Sequence, residues 1–261
     1  MSLSCVQHAR DGSRRVHVFS GFLIEAAGVW FYLTAGHVLR DLKSALDLDS
    51  KFDTWRLDDQ SAGNTFDAAI PFDFDIGRWL VIENELNGLD YAAVVLDPFF
   101  CRQLKAGGAV PIDKIAWGDY TAEHDFWAVV GIPAETVHYQ QENFIHGKLV
   151  IMPLEPTEPP EGAGATVSNR FFAHIKDPGA VNHLGGMSGG PVFALFKNEG
   201  RWRYKIIGLQ SGWYRSEAVI SACPISSFAE ELESVVQEAL AMLALDDEEG
   251  TATRTDSSRG A

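Results

Sequence analysis

The sequence predicts an all-β fold, a sandwich or a barrel, closed at its C-terminal end by one α-helix. Two observations carry this. Short runs rich in β-branched and aromatic residues follow one another, divided by Gly, Asn, Asp and Pro turn chemistry. Only one stretch repeats its apolar residues at helical spacing, and it lies near the end of the chain. At 261 residues, 46% of them hydrophobic, the chain is long enough to bury a sizeable core.

Taken in order, residues 1–12 read as a polar lead-in. Val16-His17-Val18-Phe19-Ser20-Gly21-Phe22-Leu23-Ile24 reads as a strand, Ala26-Ala27-Gly28 as a turn, and Val29-Trp30-Phe31-Tyr32-Leu33-Thr34 as the returning strand of a hairpin. That strand delivers the chain to Ala35-Gly36-His37, a junction of the kind where function concentrates. Residues 40–75 are mixed, with a strand-like Thr54-Trp55-Arg56-Leu57 and loop chemistry from Asp58 to Asn64. Trp79-Leu80-Val81-Ile82 is a strand, and Asp90 opens a further apolar one through Leu96. Residues 97–125 carry no sharp signal and read as a connection. A second β set follows: Phe126 to Pro133, Lys148 to Leu154, Arg170 to Ile175, Val192 to Phe196, Arg203 to Leu209 and Ala218 to Cys223, with an exposed Pro/Glu/Gly loop from Glu155 to Gly164. Ser227 and Glu230 form an S-x-x-E capping box. Leu232, Val235, Val236, Ala239, Leu240 and Leu243 then make a one-sided stripe, expected to dock on the second β set.

Composition excludes several classes. The formal charge of −15 argues against a nucleic-acid grip, which needs a basic footprint. No apolar run reaches 18 residues, so no membrane span is expected, and the N-terminus shows no apolar core of a signal peptide. Cys5, Cys101 and Cys223 fit neither a zinc spacing nor a disulfide framework, which points to a reducing, cytoplasmic compartment.

The stretch with the most chemistry is Gly185-Gly186-Met187-Ser188-Gly189-Gly190-Pro191-Val192-Phe193. Glycines flanking one hydroxyl let the backbone bend sharply and leave N–H groups free to face an anion. Alone, it fits a turn, a hydrolase elbow or an oxyanion loop. A serine nucleophile needs a base, an acid that orients the base, and N–H donors for the oxyanion. All eight histidines, His8 to His183, precede Ser188, whereas the α/β-hydrolase order places the histidine after the serine. A subtilisin order with His37 as base leaves only Asp11, in the lead-in. The order His37, Asp90, Ser188 remains.

On these residues the chain resembles the chymotrypsin/trypsin-like serine proteases, closest to the bacterial, intracellular members. Thr34-Ala35-Gly36-His37-Val38 is similar to the histidine motif, Gly88-Leu89-Asp90-Tyr91-Ala92 to the aspartate motif, and Gly186-Met187-Ser188-Gly189-Gly190-Pro191 to the nucleophile motif. The Ser20-Gly21-Phe22-Leu23-Ile24 hairpin fits as well, and the likeness spans roughly 13–240. The resemblance implies two six-stranded Greek-key β-barrels: 13–118 carrying His37 and Asp90, and 119–225 carrying Ser188. A C-terminal helix over 226–245 and a disordered acidic tail over 246–261 would follow. It implies a serine endopeptidase acting on protein or peptide substrates, with neither metal nor organic cofactor. Ser188 would be nucleophile, His37 general base then acid, Asp90 the orienting acid, and the N–H groups of Gly186 and Ser188 the oxyanion hole. Asn182 and His183, with Ser211, Gly212 and Trp213, would bind substrate.

One departure stands out. The residue before the serine is Met187, not the aspartate that pairs with a freed N-terminus in the digestive enzymes. The site is therefore either preformed or ordered by something else. Two alternatives follow: an effector protease waiting on a protein activator or upstream cleavage, and a catalytically silent binding protein on a protease fold.

Overall fold

A computed structural model describes residues 1–58, 69–84, 88–140, 144–163, 169–177, 179 and 181–256, except for side chains at 139–140, 144, 146, 227 and from 243 on. Strands dominate. β1 (Ser2–His8), β2 (Arg14–Ser20), β3 (Phe22–Ala26) and β4 (Val29–Thr34) open the chain. Helix α1 (Gly36–Asp47) follows, then β5 (Lys51–Asp58), β6 (Ile70–Pro71), β7 (Leu80–Asn84), β8 (Leu89–Val95) and helix α2 (Pro98–Ala106). One four-stranded sheet has the order β2-β1-β5-β6 and another β3-β4-β8-β7. The expected six-stranded N-terminal barrel is thus, among the described residues, two four-stranded sheets over one core that includes Leu3, Ile24, Leu33, Leu57 and Tyr91.

The second half closes fully. β9 (Phe126–Gly131), β12 (Val150–Thr157), β13 (Phe171–Ile175), β14 (Pro191–Asn198), β15 (Arg201–Tyr214) and β16 (Val219–Pro224) form a barrel in the order β12-β13-β16-β15-β14-β9. A small hairpin, β10 (His138–Gln140) with β11 (Phe144–His146), stands apart from it. Closure removes every free sheet edge, and the inward positions fill a core that includes Trp127, Val129, Met152 and Ile220. As the sequence predicts, the chain is mostly β, with a six-stranded barrel and a C-terminal helix.

Several elements differ from expectation. The lead-in is β1, buried from Ser2 to Val6, because it pairs on both sides, with β2 and with β5. Its small serines fit a buried strand whose backbone groups are bonded on both sides. The single run from Val16 to Ile24 is two strands, which part at Gly21 and belong to different sheets. Two helices lie where none was expected. α1 has no side-chain cap and only a narrow buried stripe, Val38, Leu39 and Leu42, so neither helix signal is strong. α2 starts from Asp97 with Pro98 in its first turn.

The last helix, α3, runs Ile225–Asp256, two residues ahead of the capping box and through most of the expected tail. The Ser227 side chain lies outside the described residues, as do the tail from 257 on and the turn chemistry at 59–64 and 164. α3 docks by its first turns, Ile225, Phe228, Ala229 and Leu232, on β15 of the second β set, as expected, and also on the first half, in one core that includes Ile206, Leu209 and Cys223 together with Tyr91 and Ile24. Phe228 stacks on Tyr91 with ring centroids 4.2 Å apart, and Lys114 pairs with Glu233. Val235, Leu240 and Met242 of the expected stripe region stay exposed. The reason is geometric: the helix leaves the body after Val236, so the distal part of its periodic face meets no surface.

Candidate active site

His37 sits in the first turn of α1, immediately after β4, and Asp90 begins the buried part of β8. β4 and β8 are hydrogen-bonded neighbours, with Thr34 opposite Ala92. The register therefore brings the two residues together across a separation of 53 in sequence. Asp90 takes both of its contacts from His37. The ring Nδ1 lies 2.7 Å from Asp90 Oδ2, and the His37 backbone N–H donates to Oδ1 at 2.8 Å. The Asp90 side chain is 7% exposed and that of His37 22%. Burial pushes the Asp90 carboxyl up. The His37 ring and N–H, with the nearby Arg170 charge, more than offset it and hold the carboxyl below its ordinary range. An aspartate so placed fixes the tautomer with the proton on Nδ1 and leaves Nε2 as the basic nitrogen.

Ser188 lies on the turn before β14 and shares one cavity of about 680 Å³ with His37, Gly185 and Gly186. Among the described residues the Ser188 hydroxyl makes no hydrogen bond, so the His37–Asp90 link is closed and the Ser188–His37 link is not. Such links are often long until a substrate tightens them.

The turn itself is pinned from several sides. The Gly185 carbonyl accepts from Ala134 N–H at 2.6 Å. In a planar trans peptide the following N–H points the opposite way, so the Gly186 N–H is turned away from Ala134. The Gly186 carbonyl accepts from Ser20 Oγ at 2.8 Å and from Ser20 N–H at 3.2 Å. Among the described residues, the N–H groups of Gly186 and Ser188 have no protein acceptor. This path needs φ of +88° at Gly186, where a Cβ would also crowd Ala134 N and Ile132 O at 3.0 Å. Met187, between them, is fully buried in the barrel core. This loop is held by an apolar anchor and by hydrogen bonds from Ser20 and Ala134.

Ser20 is the residue that sequence reasoning quoted without a role. It ends β2, is 1% exposed, and its hydroxyl accepts from Ile132 N–H at 2.9 Å while donating to Gly186 O. Its carbonyl accepts from Thr34 Oγ1 at 2.8 Å, so β2, β4, Ile132 and the Gly-rich turn meet at one residue. Arg170 was likewise unmarked. It donates from Nε to Gly88 O at 3.2 Å and lines a separate cavity of about 230 Å³ with His37, Asp90 and Ser211. No local motif flags either residue, since both act across long sequence separations.

The expected substrate residues fall into two groups. Ser211 is buried beside His37 and Asp90, and Gly212 packs so close to Ser221 that a Cβ would lie 2.3 Å from its hydroxyl. Trp213 is half-buried against the barrel core. Asn182 and His183 are exposed. The Asn182 N–H donates to Glu135 at 2.6 Å, and His183 Nδ1 accepts from Gly185 N–H at 3.0 Å, so His183 braces the turn. None of these five residues lines the 680 Å³ cavity. Among the described residues no group of His, Cys, Asp and Glu is placed to hold a metal ion. No helix among them is long and apolar enough to cross a membrane.

No family model and no curated protein matches the chain. Solved structures similar to it include a thermostable serine protease, AL20, from an extremophilic microorganism, at TM-score 0.45 and 15% identity, covering 89% of this chain and 94% of that one. The active form of the Rv3671c protease from M. tuberculosis has TM-score 0.45 and 13% identity over 88% and 79%. The protease Anisep from Arthrobacter nicotinovorans has TM-score 0.45 and 16% identity over 85% and 89%.

Proposed function

We propose that the protein is a serine endopeptidase that cleaves peptide bonds through an acyl-enzyme. The observation that carries this reading is His37, hydrogen-bonded twice to Asp90, in the same cleft as Ser188 and a turn that frees two neighbouring N–H groups. Ser188 Oγ attacks the scissile carbonyl carbon and its proton passes to His37 Nε2. The carbonyl oxygen becomes an oxyanion, held by the N–H groups of Gly186 and Ser188. Collapse breaks the C–N bond, and His37 returns the proton to the leaving amine. Water, deprotonated by His37, then releases the acid and restores Ser188. Asp90 stays ionised throughout and stabilises the imidazolium. Ser211, Gly212 and Trp213, with Asn182 and His183, are the residues this reading assigns to the acyl-side segment of the substrate.

The hydrogen bonds from Ser20 and Ala134 and the burial of Met187 support a site that is preformed, without a protein activator or upstream cleavage. The location proposed is the cytoplasm, in keeping with three free cysteines, two of them buried.

The test is labelling with a fluorophosphonate. The folded protein labels at Ser188, and Ser188→Ala abolishes both labelling and peptide cleavage. A well-folded protein that neither labels nor cleaves any member of a broad peptide library overturns the reading in favour of a silent binding protein.

A further inference from the structure

Asp90 belongs to the first half of the chain, yet the backbone that carries it is held from the second. β8 pairs with β4 only from Ala92 to Val95. Ahead of Ala92 its ladder partner among the described residues is β7, where Leu89, Asp90 and Tyr91 face Asn84, Glu83 and Ile82, and β7 is largely exposed. A strand end with one exposed neighbour opens more readily than a stretch paired on both sides. Three groups of the second half close on this end. The Gly88 carbonyl, two residues before Asp90, accepts from Arg170 Nε at 3.2 Å and from Cys223 Sγ at 3.0 Å. Tyr91, the residue after Asp90, donates its hydroxyl to the Pro224 carbonyl. The approach is close: Gly88 has φ of +68°, and a Cβ there would stand 3.0 Å from Arg170 Cγ and 3.2 Å from Arg170 N. Cys223 and Pro224 end β16, and Arg170 leads into β13, its neighbour in the closed barrel. Arg170 also lines the 230 Å³ cavity with His37, Asp90 and Ser211.

We infer that Arg170 is a positioning residue: its bond to the Gly88 carbonyl fixes the start of β8 and so holds Asp90 in register with His37. The inference rests on the serine-peptidase reading for its effect on turnover. The Asp90 oxygens meet His37 Nδ1 and N–H at 2.7 and 2.8 Å. Without the Arg170 bond, the strand end that carries them can shift against α1, and a misplacement of about 1 Å can cost about a hundredfold in rate. Ser20 of the first half holds the Ser188 turn, and Arg170 of the second half holds Asp90. Each half thus secures the part of the site that the other contributes.

The experiment uses the full chain with three substitutions at one position. Arg170→Gln places an amide N–H where Nε stands and removes the charge. Arg170→Lys keeps the charge with a carbon at that point, and Arg170→Met keeps only the stem. One readout is kcat and KM for a short peptide. The other is the proton NMR signal of the hydrogen-bonded His37 Nδ1–H, recorded in the Ser188→Ala background, where nothing turns over. Arg170→Gln keeps kcat within about threefold of the wild type, whereas Arg170→Lys and Arg170→Met lower it about tenfold or more, with KM little changed. The His37 signal stays in place in Arg170→Gln and is displaced or lost in the other two. If Arg170→Lys retains kcat and the signal while Arg170→Gln loses them, the inference is overturned, because the charge and not the bond would act. It is equally overturned if all three variants keep both, even where each is less stable. Should Arg170→Met fail to fold, the comparison of Arg170→Gln with Arg170→Lys decides by itself. If Ser188 fails to label and nothing is cleaved, the peptidase reading falls, and the His37 signal alone decides for or against the role of Arg170.

Discussion

Ser20→Ala tests the claim that the oxyanion turn is held by the end of β2. The substitution removes one donor to Gly186 O and one acceptor for Ile132 N–H, at a site only 1% exposed. A buried N–H left without a partner costs about 1–3 kcal/mol, and the unfolding free energy should fall by that amount. The effect on catalysis has an upper bound. Loss of one oxyanion donor costs about 10²–10³ in rate. The Ser20 backbone N–H still reaches Gly186 O at 3.2 Å, and Ala134 still holds Gly185 O, so the turn loosens without flipping. The expected fall in kcat is about tenfold, equivalent to ~1.4 kcal/mol, with KM for a short substrate little changed. Urea unfolding measures the first quantity and steady-state peptide hydrolysis the second. A protein that loses stability but keeps its full kcat would refute the reasoning, because Ser20 would then be structural only.

Other perturbations follow from the same geometry. Gly189 has φ of +90°, and a Cβ there would stand 2.2 Å from Thr34 Oγ1 and 2.4 Å from Ser20 O; Gly189→Ala should fail to fold or lose several kcal/mol in thermal unfolding, on the order of a strained core site. Met187→Ala empties a fully buried position and should cost about 2–5 kcal/mol, with a parallel loss of turnover as the turn loses its anchor. Asp90→Asn should lower kcat by roughly 10⁴ while fluorescence and circular dichroism report an intact fold. Asp90 also sets an acid limit. Its carboxyl is held below the ordinary range, so its stabilising contribution is complete above about pH 4 and is lost as the pH falls through the depressed folded value. Wild-type stability should drop more steeply below that pH than the stability of Asp90→Asn, and parallel curves would exclude the linkage. Finally, Phe228→Ala should cost about 3–5 kcal/mol, since the ring stacks on Tyr91 in the core, whereas Leu240→Ala on the exposed part of α3 should be near neutral in the same melt.

The sequence by itself determined what repeats locally. Most strand runs are legible in it, because β-branched and aromatic residues between turn residues report a pleated, half-buried surface whatever its partners are. The three motifs of the proposed site are legible too: with Ser188 taken as nucleophile, the chain order His37, Asp90, Ser188 departs from the α/β-hydrolase order, and Met187 shows that no aspartate precedes Ser188 in the turn. Tertiary structure decided what depends on partners distant in sequence. β1 reads as polar until two neighbours satisfy its backbone. α1 lacks a cap, and its short stripe means little until the sheets supply a surface for it. The stripe of α3 shows which face could be buried, not where the body ends beneath it. Ser20 and Arg170 act on groups that stand far from them in the chain, Gly186 O and Gly88 O. No periodicity encodes such a pairing, because a hydrogen bond between distant segments is fixed by how the sheets pack and not by the spacing of residues along either one.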